Sequence, residues 1–439
     1  MKKSIIAFIG LFFWVSSFYS QTKKWSIQDC IQYAIDHNID VKQQLLNLEE
    51  AKLTTSSAKG AYLPNLNASV RNTWNNGLSQ NVVSGNLVKS VETIRNSSYG
   101  VNSNIPIFNG LINYNNLQQA RLQEIAAQFN IESIKDDIKL NVANSYLQVL
   151  LQKENIAILK AQYQLSVEQL NRAKELVSAG NIPKGDLLQL QATIANDEQN
   201  IAQAENSYVI AKLGLKRLLN LNLSEEIEVK KENVSLIEMK VLETPIDSIL
   251  KTVLSNRNEI KLSKSNIEVA KKGVDIAKGS YLPTLSGFVN FDTREIDKST
   301  DSYFYQLENN YGFTYGLSLN IPIFNGFKIK NSVAKNKLNV LRREHQLEQT
   351  KQMVIQNVHQ AYLNAKASYK TYISSQKTVE AQELAFQYQQ TKFDVGESNL
   401  LDYTQNKILY QNSQTDLLRT KYDLLFRLKI IELYYTLSY

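Results

Sequence analysis

Two stretches of this chain, residues 111–179 and 327–395, run for 69 residues each without a glycine or a proline. These two residue types break helices most readily, so each stretch predicts one uninterrupted helix. At about 1.5 Å per residue such a helix is roughly 100 Å long. A compact domain has no room for it, since its mean helix is about 11 to 12 residues. The 439 residues are therefore not simply two or three ordinary domains in a row.

Each long stretch begins just after the same six residues, Ile-Pro-Ile-Phe-Asn-Gly, at Ile105 to Gly110 and again at Ile321 to Gly326. Side chains on a strand point to opposite faces every second residue, so alternation marks what precedes the motif. Before the second copy, Tyr311, Phe313, Tyr315, Leu317, Leu319, Ile321 and Ile323 share one face, and Gly312, Thr314, Gly316, Ser318 and Asn320 the other. Tyr99, Val101, Ile105 and Ile107 alternate with Gly100, Asn102 and Asn104 before the first. A further strand alternates Leu66, Ala68, Val70 and Trp74 with Asn67, Ser69, Arg71 and Thr73. Its counterpart is less regular, because Phe288 breaks the alternation of Val289 and Phe291. Polar loops are expected at 75–97 and 294–310.

The chain repeats itself. Ala58 to Pro64 (AKGAYLP) returns as Ala277 to Pro283 (AKGSYLP) at an offset of 219. At an offset of 216, Tyr99-Gly100 returns as Tyr315-Gly316, Tyr146-Leu147 as Tyr362-Leu363, and the Gly180 to Asp186 stretch as Gly396 to Asp402. We read a duplication: a first repeat at 21–220, an excursion at the equator of the helical wall at 221–243, and a second repeat at 244–439. Each repeat orders a helix, Tyr-Leu-Pro, a strand pair, the six-residue motif, the long helix, a glycine-containing tip and a returning helix, 186–220 or 402–433. Ser26 and Asp29 form a capping box for the opening helix, expected to run to Gly60, and Thr244, Pro245 and Asp247 repeat the signal. Leu159, Tyr163, Val167, Leu170, Ala173 and Val177 make a narrow apolar stripe suited to coiled-coil packing.

Residues 1–20 read as a secretory leader: Met1-Lys2-Lys3, an apolar run from Ile5 to Val15, then small residues to Ser20. That run is too short to span a bilayer as a helix. The single Cys30 excludes an internal disulfide, and no cysteine next to the leader offers a lipid anchor. Net charge is +7, or +5 without Lys2 and Lys3, with acids interspersed, which reads as solvated helix faces and not as a nucleic-acid surface.

Alternation of this kind fits a half-buried sheet on a core or a membrane strand. The available partners are helices too long to fold over a sheet, and strands of about 10 to 13 residues match a tilted bilayer crossing. Lipid admits strands only in closed barrels. Four strands cannot close one, since single-chain membrane barrels start at about 8. Several identical chains must then share a barrel under cyclic symmetry.

The leader, the two repeats, the strand pairs ending in Pro-x-Phe-Asn-Gly and the Gly-to-Asp tips together resemble the TolC-type outer-membrane efflux family, over essentially the whole mature chain. The resemblance implies a mainly α fold with a small β part: long coiled-coil-like helices forming an α-helical tunnel, and a 12-stranded β-barrel shared by a homotrimer, with membrane parts near 63–108 and 282–324. It implies an exit duct of a tripartite efflux or type I secretion system, docked to a periplasmic membrane-fusion adaptor and an inner-membrane pump, which carries substrate choice. In such a trimer Asp186, Asp402 and Gln405 would line the periplasmic entrance, where Asp402 would form an acidic ring. The family's second acid is Gln405 here. Gly180, Asn181, Gly396 and Glu397 would sit at adaptor-facing tips. Pro106, Phe108, Gly110, Pro322, Phe324 and Gly326 would form the seam between barrel and tunnel, with Phe108 and Phe324 at the lipid interface.

No catalytic constellation stands out, and neither an enzyme nor a cofactor is expected. His37, His345 and His359 are the only histidines. The last two are 14 residues apart, about 21 Å along a helix, too far to share a metal ion. Asp186 and Asp402 also fit a simpler role as helix caps. The competing architecture is a periplasmic coiled-coil tether with a small β head, which would wash off membranes.

Overall fold

The computed structural model describes residues 24–80, 85, 87–180, 182–231, 240–297 and 299–436. The expected leader, Asn181 and most of the 221–243 excursion's second half lie outside the described residues. The chain divides into two compact units. One comprises Met1–Asp36, Asn141–Ser235 and Thr371–Phe426, and the other His37–Leu140, Leu236–Lys370 and Arg427–Tyr439.

The strands of the second unit form one antiparallel sheet in the order β2 (Asn65–Gln80), β3 (Leu87–Asn109), β5 (Thr284–Ile296) and β6 (Tyr311–Asn320). The expected alternation is realised: Val70 pairs with Tyr99, Val101 with Phe291, and Val289 with Tyr315, on one exposed apolar face. Phe288 points to the other, polar face and is accommodated there by Gly316, where a Cβ would stand 2.9 Å from its ring. The irregularity in the sequence thus marks an aromatic ring covering a cross-strand glycine.

Two expectations are corrected. The loop placed at 75–97 is mostly strand, with pairing from Gly77↔Ser90 to Gln80↔Leu87 beyond an irregularity at Asn75/Gly77. Apolar residues there, such as Leu78, Leu87 and Val88, do not alternate regularly, yet the backbones pair all the same. The second correction concerns Ile321 and Ile323. They follow the end of β6 at Asn320, whereas the first motif copy is carried within β3 to Asn109. The loop at 294–310 begins with strand to Ile296 and contains a short helix, α7 (Tyr303–Asn309), held by Gln306, whose amide exchanges hydrogen bonds with Ile296 N and O at 3.1 Å each.

The helices follow the breaker-free stretches closely. In chain order they are α1 (Ile27–His37), α2 (Ile39–Gly60), α3 (Ile112–Ser178), α4 (Lys184–Leu219), α5 (Ile246–Asn256), α6 (Asn258–Gly279), α8 (Lys328–Asp394) and α9 (Leu400–Thr436). Both α3 and α8 contain 67 residues. The opening helix is broken at Asn38, whose side chain caps α2 by accepting from Asp40 N at 2.7 Å. Arg257, 219 residues later, interrupts the corresponding pair α5 and α6. Neither break carries a glycine or proline, so no helix-breaking residue marks either one in the sequence. The Ser26–Asp29 capping box is formed, with Asp29 N donating to Ser26 Oγ at 3.1 Å and Ser26 N to Asp29 Oδ2 at 3.1 Å. At α5 the cap position is Pro245, which supplies no side-chain bond. The second unit's core joins Ile249, Val253 and Ile260 to Val354 and Val358.

In the first unit the excursion contributes β4 (Glu228–Val229), which pairs in parallel with β1 (Lys24–Trp25). Between Leu159 and Val177 the buried positions of α3 are Gln162, Ser166, Gln169 and Ala173, of which the expected stripe contains only Ala173. Leu159, Tyr163, Val167, Leu170 and Val177 flank them half-buried. Polar side chains hold the seam because several find partners across the helices, as described below.

Candidate functional sites at the strand-to-helix junctions and the helix tips

The junctions lie in the second unit. In each, the asparagine of the motif caps the long helix four residues on: Asn109 Oδ1 accepts from Asn113 N at 3.2 Å, and Asn325 Oδ1 from Ile329 N at 3.3 Å. The chain turns through two successive left-handed residues, Gly110 and Leu111 at φ 66° and 64°, then Gly326 and Phe327 at φ 60° and 64°. Glycine is free there, whereas a bulky residue in that region costs on the order of 1–3 kcal/mol. The sequence announces the glycine but not Leu111 or Phe327, which carry no turn signal. Pro106 sits at a register shift between Pro106 and Phe108 in the β3–β5 ladder, where a missing donor is tolerated. Pro322 and Phe324 lie past the end of β6, and Phe324 is exposed.

The tips belong to the first unit. Gly396 at φ 81° ends α8 in a Schellman turn, with Gly396 N donating to Phe393 O at 3.1 Å and Glu397 N to Lys392 O at 2.8 Å. Gly180 ends α3 with the same φ and a bond from its N to Val177 O at 3.0 Å. The expected caps are corrected. Asp402 stands at the third position of α9, and the cap is Asn399: Asp402 N donates to Asn399 Oδ1 at 2.8 Å, and Asn399 Nδ2 to Asp402 Oδ2 at 3.1 Å. Asp186 likewise stands at the third position of α4, behind Pro183, which makes no side-chain cap. Acids in a first turn still oppose the positive end of the helix dipole. Asn399 three residues before an acid is a capping-box spacing, and that signal could have found it.

A recess of about 740 Å³ opens between the two tips, lined by Ile182, Pro183, Asp186, Asp394, Ser398 and Asn399 among others. Asp402, Gln405, Gly180, Gly396 and Glu397 are exposed around this end. Beneath it Phe386, Phe393 and Tyr403 pack with Ala173, Leu190 and Leu400, and the Phe393 and Tyr403 rings stack at 5.0 Å. Burial, reinforced by the Asp394 carboxylate, pushes the Tyr403 phenol well above its ordinary value. Arg172 Nε lies 3.2 Å from Asp394 Oδ1 and ties α3 to the end of α8.

Further along, the buried seam carries a charged cluster that sequence reading missed. Lys407 on α9 is buried and donates to Ser166 Oγ on α3, which donates to Asp197 on α4. The Lys407 ammonium is 3.8 Å from the Asp197 carboxylate. Burial pushes the Lys407 ammonium below its usual range, and Asp197 opposes the shift. Gln162 Nε2 donates to Gln414 Oε1 at 3.3 Å. Such contacts fix which residues meet along otherwise similar helices, since a buried polar group left unpaired is costly.

A sheet with one exposed apolar face, attached to coiled-coil rods, has clear parallels among known proteins. The Outer membrane protein TolC of Escherichia coli K12 is 20% identical over 439 aligned positions, covering 97% of this chain and 84% of the relative. Toxin and drug export protein A of Aggregatibacter actinomycetemcomitans is 21% identical over 299, covering 67% and 63%. A crystal structure of CusC, described in terms of folding and transmembrane channel formation, superposes with a TM-score of 0.78 at 18% identity, covering 95% of this chain and 92% of that one. The fold is thus that of channel proteins with a helical tunnel and a β-barrel. The model of the family described as Outer membrane efflux protein matches residues 30–221 and 249–429, most of both repeats, and on that match the chain belongs to this family.

Proposed function

We propose that three copies of this chain close a 12-stranded barrel and form the passive exit duct of a tripartite efflux or type I secretion system. The protein is an outer-membrane protein of an efflux family, and its helical part extends into the periplasm. One observation carries the reading. The four-stranded sheet exposes Tyr311, Phe313, Tyr315, Leu317 and Leu319 on its apolar face, and its outer strands β2 and β6 have no further strand beside them among the described residues. Water disfavours that face, and lipid disfavours those open edges, so further copies must cover the edges while lipid covers the face.

In this arrangement the polar face, with Asn67, Ser69, Arg71 and Asn102, lines a wet lumen. The repeats at 21–220 and 244–439 contribute equivalent halves of the wall, and the membrane parts lie near 63–108 and 282–324. Pro106, Phe108, Gly110, Pro322, Phe324 and Gly326 mark the seam between lipid and periplasm. Asp186, Asp402 and Gln405 line the entrance, and Gly180, Asn181, Gly396 and Glu397 present the turns to a periplasmic adaptor, itself coupled to an inner-membrane pump. The duct performs no chemistry, and transport is driven by the pump.

Alkaline carbonate extraction of membranes tests the reading. A shared barrel stays in the pellet and migrates as a heat-sensitive oligomer. Release into the wash as a monomer would instead support a peripheral coiled-coil tether.

A further inference from the structure

On the polar face of the four-stranded sheet, charge is confined to one place. Strand register sets Asn, Ser, Thr and Gly along that face within residues 65–75, 96–104, 284–294 and 312–320, with Phe288 as its one ring. Over those residues its only charged side chains are Arg71, Asp292 and Arg294, and they occupy two adjacent cross-strand rows. Arg71 and Arg294 stand on either side of Ser98, and the next row sets Ser69, Gly100, Asp292 and Gly312 in line. Neighbouring strands are about 4.8 Å apart, so the two arginines, on β2 and β5, are roughly 10 Å apart at the backbone. That spacing lets two guanidinium groups converge on one small group between them. The rows lie far from the strand-to-helix junction: Ser98 precedes Asn109 by 109 − 98 = 11 residues, on the order of 35 Å along the strand.

Arg294 is already engaged. Its Nε and Nη2 both donate to Asp292 Oδ2, at 3.2 and 3.0 Å. Arg71 makes no hydrogen bond or ion pair among the described residues. A guanidinium carries five N–H donors and no acceptor, so these rows hold a surplus of donors and one positive charge that Asp292 does not offset. Glycines keep the floor beside the charges open. A Cβ on Gly100 would stand 3.3 Å from Ser69 Oγ, and one on Gly312 would stand 3.4 Å from Asp292 Oδ1. The resulting recess measures about 440 Å³ and is lined by Ser69, Arg71, Ser98, Asp292 and Arg294 among others.

We propose that Arg71 and Arg294 flank a binding site for a small oxyanion, a carboxylate or a phosphate, on the polar face of the sheet. The planar fork of an arginine matches such a group through two parallel charge-assisted bonds. Arg71 supplies a free fork, Arg294 its remaining donors, and Ser98 a hydroxyl between them. Asp292 limits the affinity, because its carboxylate competes with the ligand for Arg294 and repels it. The site lies within one chain. Only its place in a lumen rests on the proposed duct, where it stands at the outlet and three copies face one another across a low-dielectric channel that concentrates anions.

Arginine footprinting of the full-length protein tests the site. Phenylglyoxal labels exposed arginines, and mass spectrometry reads the labelling rate at Arg71, with inorganic phosphate replacing chloride at equal ionic strength. Phosphate at about ten times its Kd leaves the site free roughly one-eleventh of the time, so labelling of Arg71 should slow about tenfold. Exposed Arg342 on α8 is the reference and should keep its rate. No slowing at Arg71, or equal slowing at both, would overturn the site. Two variants separate binding from mere exposure. Arg294→Gln should weaken the protection of Arg71 by about tenfold, whereas Asp292→Asn should strengthen it, and a change in the opposite direction in either variant would overturn the arrangement. A parent that conducts as a ring but shows no protection removes the site and leaves the duct. Protection in a monomeric, non-conducting parent keeps the site and removes the lumen around it.

Discussion

The hydroxyl of Tyr146 lies 2.7 Å from the carbonyl oxygen of Lys230, and 2.9 Å from that of Trp25. A fully buried tyrosine on α3 thereby holds β1 and the residue that follows β4. Its counterpart Tyr362, 216 residues later, donates to Leu242 O at 3.2 Å. In both repeats this tyrosine fastens chain outside the long helices to the helix it stands on. Tyr146→Phe leaves the carbonyls of Trp25 and Lys230 without that hydroxyl and should cost about 1 kcal/mol, read as a lowered urea midpoint. Tyr362→Phe, with one longer bond, should cost less, and equal losses would contradict the geometry.

Glycines in the left-handed region separate by surroundings. Gly110→Ala meets the Gly279 carbonyl as well as an unfavourable φ, whereas Gly180→Ala meets open space and only the φ. The second should lose roughly 1 kcal/mol and still assemble. The first should fail to accumulate as folded protein in the outer membrane. Comparable yields of the two would remove the close approach from the account.

Much of this was legible in the sequence because it depends on pattern. Absence of glycine and proline located α3 and α8, and alternation located the strand faces. What pattern misses is what is decided by single contacts. Asn38 and Arg257 break helices without a breaker residue, and Asn399 caps α9 where Asp402 was expected. Gln162, Ser166 and Gln169 occupy a buried seam where apolar periodicity selects their flanks. The second motif copy reads as strand up to Ile323 because it repeats the residues of the first, but its ladder with β5 ends at Asn320.

The Lys407 cluster gives a pH dependence. Burial holds the folded-state value of Lys407 below the ordinary 10.5, so between the two values the unfolded chain binds the extra proton. Stability contributed by this site therefore rises with pH through that window and levels off above 10.5. Lys407→Met keeps the length and removes the charge. Urea midpoints across the alkaline range should flatten in this variant, and an unchanged rise would assign it to other groups.

Asp402 and Asn399 separate charge from helix start. Asp402→Asn can still accept from Asn399 but removes the charge at the proposed entrance, so cation preference and block by multivalent cations should fall. Asn399→Ala should cost about 1 kcal/mol of helix stability and leave selectivity nearly unchanged. Equal selectivity in both variants would leave Asp402 a helix-start residue only.

The central claim is an oligomeric duct, and the direct measurement is conductance of the purified full-length protein in planar bilayers beside its native mass. A mass of three chains and discrete, cation-preferring current steps are expected. A monomeric mass with no current would contradict it.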